Sequence, residues 1–219
     1  AADVRINNNV TTTGVLSVSA GAAAGSDVTL APGVAVNSGS ATITTPTLNL
    51  GANAQLRANT GNLTVDSNSP AGNVLNVSLG ANATLLSSTN VNFNLAGAAN
   101  EGPITVTGAT GSLVQAPNIN YNLGPSDLNI DVGELRGCNN IFGVGGNPTS
   151  VGFVTQAGII DFCTPINTSN PAGNGGNINV VANGGAVNLG GFDVNANGGG
   201  AVGNGGSINI SAAGGISNG

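Results

Sequence analysis

The octapeptide GNGGNINV at 173–180 returns as GNGGSINI at 203–210, thirty positions on. Ala182, Asn183, Gly184 and Gly185 then align with Ala212, Ala213, Gly214 and Gly215. A repeat at fixed spacing constrains a fold more than any single residue, because each unit buries its apolar side against the next. What recurs is a turn followed by alternating residues, not a charged or catalytic cluster.

The same grammar runs through the first half of the chain. NLGANAQL at 49–56 recurs as SLGANATL at 78–85, and a looser copy, TLAPGVAV at 29–36, precedes the first by twenty positions. Val28, Leu30, Val34 and Val36 thereby fall on Leu48, Leu50, Ala54 and Leu56. Alternation of period two, broken by Gly- and Asn-rich corners, marks short half-buried strands. Spacings that differ by about ten, one strand plus one corner, imply that some coils carry an extra side.

Composition removes the other fold classes. With 40% apolar and only 5% charged residues, the chain is too hydrophobic to be disordered. Its 37 glycines, with abundant Asn and β-branched residues, exclude long helices. An all-β chain remains, and a sandwich is the competing architecture. The repeat favours a parallel β-solenoid in which Leu50 stacks axially on Leu30 and Leu79. Inward Val, Ile, Leu and Ala form the core, and outward Thr, Ser and Asn meet water. Asn suits the corners because it tolerates left-handed backbone, and stacked Asn side chains can form ladders between coils. Some eight or nine coils at ~4.8 Å spacing would make a rod of roughly 40 Å.

Residue 1 is Ala, and no signal peptide or run of eighteen apolar residues is present, so no membrane span is expected. The reading is of a chain processed or excised from a longer one. The closing SINISAAGGISNG stays in repeat register without a charged cap. An uncapped coil leaves a row of backbone donors and acceptors open, so more chain or another molecule is expected there.

GNGGNINV, ANGGAVNLGGFDVNANGG and GNGGSINI resemble the repeats of filamentous-haemagglutinin-like proteins exported by two-partner secretion. The likeness is clearest over 173–219 and looser over 1–123. It implies a right-handed parallel β-helix, an extracellular or cell-surface location, and an adhesive or fibre-forming role. The Asn-Pro-Asn-Gly-Ile hallmark of that family's amino-terminal secretion domain is absent, so the resemblance is to the shaft.

The alternation fades over 124–172, which reads as an irregular insertion between coils at 1–123 and coils at 173–219. Both cysteines lie within it. In a chain of extracellular character they point to a disulfide, Cys138–Cys163, worth about 3–4 kcal/mol by loop entropy. Two thiols without His are too few for a metal site. The loop so closed would carry Ile141, Phe142, Val144, Val151, Phe153, Ile159, Ile160 and Phe162. These residues form either a contact patch for a host surface or neighbouring subunit, or a flap packed on the solenoid flank.

Catalysis is the rival class, because parallel β-helices can also cleave polysaccharides as lyases or hydrolases. Asp127, Asp131 and Glu134, with Arg136 beside them, are the one close acidic cluster. Alternation would put Asp127 and Asp131 on one face, a weak candidate for Ca²⁺. The simpler reading is of solvated carboxylates partnered by one Arg. No Lys or His is available for acid–base work, and no cofactor motif is present: GVGGNPTS at 143–150 lacks the lysine of a phosphate loop. A net charge of −6 with three Arg disfavours nucleic acid. The expected partners are like subunits or further repeats end to end, with surface glycans as a further class. The expectation is a structural or adhesive protein, not an enzyme.

Overall fold

A computed structural model describes residues 2–23, 25–69, 74–95, 102–143 and 146–219. The chain winds as a parallel β-solenoid of about eight turns, with no helix among the described residues. All pairings between its strands are parallel in this described part.

One face runs the length of the rod. Val4–Ile6, Asp27–Leu30, Thr47–Leu50, Leu75–Leu79 and Ile104–Gly108 stack in turn. The start of Asp127–Gly143, then Ser150–Ala157, Asn177–Ala182 and Ile208–Ala212, continue the stack. Its inward column reads Val4, Val28, Leu48, Val77, Val106, Ile130, Phe153, Val180 and Ile210. Leu50 pairs with Leu30 on one side and Leu79 on the other, the stacking that the sequence spacing predicts. A sandwich cannot produce that register.

A second face stacks Val10, Val36, Leu56, Leu85, Val114 and Leu135. The third stacks Leu16, Ala41, Leu63, Val91 and Ile119, followed by Asn139 and Phe162. Beyond Ser150 the cross-section changes. Ile160, Val187 and Ile216 form a short inward column, and Ile166–Asn167 pairs with Val194–Asn195 in a separate two-stranded sheet.

Corners carry the special backbone. Asn53 and Asn82 sit in the left-handed region at φ 58° and 56°, and the Asn82 amide donates to Asn53 Oδ1 at 3.2 Å. The repeated GNGG corner has a different cause. A Cβ on Gly176 would collide with the Thr149 carbonyl oxygen, and one on Gly206 with that of Gly176. The octapeptide recurs because successive coils touch backbone to backbone there, where a side chain has no room.

The 124–172 segment is not the irregular insertion that its sequence predicts. Asp127–Gly143 is one long strand that crosses a corner, and it pairs with the coils on both sides. Alternation fades because the buried phase shifts at the corner, where Val132 and Gly133 are both buried. Farther on, a polar Asn139 takes an inward position.

Candidate functional site

Cys138 and Cys163 are bridged, with Cα atoms 5.6 Å apart. Cys138 pairs with Asp161, and the Cys163 N–H donates to the Asn139 carbonyl at 3.1 Å. The bridge therefore staples one coil to the next and does not close an excursion. A stable disulfide belongs to a non-reducing environment.

The apolar residues between the cysteines build core, not a contact patch. Val151, Phe153, Ile160 and Phe162 are fully buried, and Ile141 is buried beside them. Phe153 meets Tyr121 edge-on at 5.6 Å and Phe162 at 5.0 Å, while Tyr121 stacks on Phe93. This internal aromatic stack, illegible in a chain with five Phe and one Tyr scattered along it, takes over the column positions filled by Leu and Val elsewhere. Only Phe142 and Ile159 of the expected patch are exposed, and Val144 lies outside the described residues.

The acidic residues do not come together. Asp127 and Asp131 share the outward side of one strand, as alternation predicts, but four residues of strand separate their Cα atoms by about 13 Å. Asp127 Oδ1 accepts from the Thr149 and Ser150 hydroxyls at 2.7 and 2.8 Å. Glu134 instead holds Arg136 through two hydrogen bonds, which raise the affinity of the guanidinium for its proton. Among the described residues no three His, Cys, Asp or Glu side chains are placed to hold a metal ion. The Ca²⁺ candidate of Asp127, Asp131 and Glu134 is thus not assembled.

Two features of the surface stand out. On the third face, Asn side chains form axial ladders: Asn140 donates to Asn120 and Asn120 to Asn92, at 3.0 and 2.8 Å. Parallel ranks join Asn118 to Asn90, and Asn122 to Asn94 and Asp66. In the first and last described coils, the inward columns are covered from one side. Val4–Ile6 and Ile208–Ala212 each pair on one side alone among the described residues. Ile208 is 48% exposed where its partner Ile178 is 1%, and Ile216 is 51% exposed where Val187 is buried.

A cleft of about 570 Å³ opens at the corner between the third face and the first. Pro125, Pro148 and Pro171 contribute to its walls, with Asn170, Asn174 and Asn177. The sequence signal for it is the Asn- and Gly-rich run at 167–177, which alone does not distinguish a cleft from a corner.

Compared with known protein families, curated proteins and solved structures, the chain matches none.

Proposed function

We propose that this chain is a structural and adhesive β-solenoid that works outside the cell. It forms the shaft of a surface adhesin or an extracellular filament through axial contacts between coil ends. The observation that carries this reading is the inward column left half-covered in the first and last described coils: Ile208 and Ile216 in the last, the partly buried Val4, Ile6 and Leu16 in the first. These positions continue a core that is dry one coil inward, and an added coil in parallel register would cover them and pair the free strand edges. Further repeats of the same chain or a second copy supply such a coil equally well. The disulfide supports an extracellular site, and the resemblance to filamentous-haemagglutinin repeats supports the adhesive role.

Polysaccharide cleavage has less support. Paired carboxylates in glycosidases stand roughly 5–10 Å apart, whereas Asp127 and Asp131 are farther apart along one strand and Glu134 is engaged by Arg136. No helix among the described residues is long and apolar enough to cross a membrane.

Electron micrographs read beside intact mass test the proposal. Intact chains of this length assembled into long rods are the expected result for a filament, and rods built from one much longer chain for an adhesin shaft. Monodisperse short particles that cleave a polysaccharide, and lose that activity on Asp127→Asn or Asp131→Asn, would overturn it.

A further inference from the structure

The corner cleft holds an unusual set of hydrogen-bonding groups. Asn170 Oδ1 accepts from the Ala172 N–H at 3.0 Å, and Asn174 Oδ1 from the Asn204 N–H at 2.9 Å. Asn177 Oδ1 accepts from both the N–H and the hydroxyl of Ser207 at 3.0 Å. Each amide is thereby oriented through its oxygen by backbone, while its Nδ2 makes no hydrogen bond within the described residues. The Asn ladders of the third face differ: there the Nδ2 groups are tied to the next coil. Three oriented donors without acceptors therefore border one cleft.

The surroundings narrow what could meet them. No cation lines the cleft, and the Asp127 carboxylate sits directly behind Thr149, one of its lining residues. In a chain of net charge −6 this disfavours an anion. A peptide would bring an N–H at almost every residue, whereas the side-chain oxygens of Asn170, Asn174 and Asn177 each already accept from a backbone N–H. A ligand dense in uncharged oxygen acceptors fits better, and the proline rings offer apolar C–H surface to its less polar faces. The volume accommodates a few sugar units.

We propose that this cleft binds a neutral oligosaccharide, oriented by the Nδ2 donors of Asn170, Asn174 and Asn177. The inference deepens the adhesive reading and rests on it for its biological sense, but the cleft is a property of a single chain.

Calorimetric titration of the whole chain with neutral tetrasaccharides of glucose, N-acetylglucosamine, mannose and galactose tests it, with a uronic-acid tetrasaccharide as the anionic arm. Asn→Asp is the informative substitution, because it keeps the oxygen that anchors the backbone and replaces the donor with an acceptor. At least one neutral sugar should bind, the anionic one should not, and each of N170D, N174D and N177D should weaken binding about fivefold, the effect of one net hydrogen bond. Unchanged circular dichroism and melting would show that the variants remain folded. Binding by none of the neutral sugars, equal binding by the uronic acid, or folded variants that bind like the parent would each overturn the inference. Binding that persists where no rods form counts against the filament reading alone; rods without binding count against this cleft alone.

Discussion

Ile208 pairs with Ile178 in parallel register, and the two differ in one respect: Ile178 has a coil on each side and Ile208 has one. The difference in exposure is that of a core residue against a half-open one. In isolated chains, Ile178→Ala should cost about 2–5 kcal/mol, the range for a buried aliphatic truncated to Ala. Ile208→Ala should cost about 1–2 kcal/mol there, since roughly half of its transfer energy is absent. In assembled rods the two should converge, because a docked coil buries Ile208 as well. Urea denaturation of monomers and of rods measures both; a persistent gap in the rods would argue against end-coil docking.

The Cys138–Cys163 bridge spans a sequence separation of 25, and the strands it joins are also paired through their backbones. Reduction, or Cys163→Ala, should lower stability by about 3 kcal/mol through loop entropy and leave the strand signal in circular dichroism intact. Non-reduced peptide mapping should recover the two cysteine peptides joined. Free thiols in freshly isolated protein would remove both the staple and the argument for a non-reducing environment.

Gly176 and Gly205 lie in related corners but under different constraints. A Cβ on Gly176 meets the Thr149 carbonyl oxygen, whereas the nearest heavy atom to one on Gly205 is the Ala196 oxygen at 3.5 Å. Gly176→Ala should therefore cost about 1–3 kcal/mol, as overpacking does. Gly205→Ala should be close to neutral in thermal melts. Equal effects would mean that the repeat is conserved along the chain for some reason other than coil-to-coil contact.

The register of the first coils was legible because corner and strand repeat together: aligning GANAQL with GANATL places Leu50 on Leu79 without reference to coordinates. The 124–172 region was not, for a local reason. Its coils run 23 residues from Leu128 to Val151 and 27 from Val151 to Ile178, so no single offset superposes them. Its inward column also passes through Asn139, which pattern reading takes for a surface residue. The cleft donors were hidden differently. Asn170, Asn174 and Asn177 look like any other corner Asn, and only the direction of their hydrogen bonds separates them.

Asn139 tolerates burial because it is satisfied there. Its Oδ1 accepts from the Tyr121 hydroxyl at 3.2 Å, and its Nδ2 donates to the Asp161 carbonyl at 2.9 Å. Tyr121→Phe should remove that donor, leave a buried amide oxygen short of a partner, and cost about 1–3 kcal/mol. The same burial pushes the Tyr121 phenol well above its ordinary value of 10.0. An unfolded chain releases this proton near pH 10 and the folded chain keeps it, so above that pH the unfolded state binds fewer protons and stability falls as pH rises. Below pH 10 the contribution is fully present. Because the chain contains one tyrosine, tyrosinate absorbance reports this site alone. It should stay silent through pH 10 and rise only together with the loss of strand signal. A tyrosinate signal that titrates near pH 10 in a fully folded rod would place Tyr121 outside the core, and with it the aromatic stack from Phe93 to Phe162.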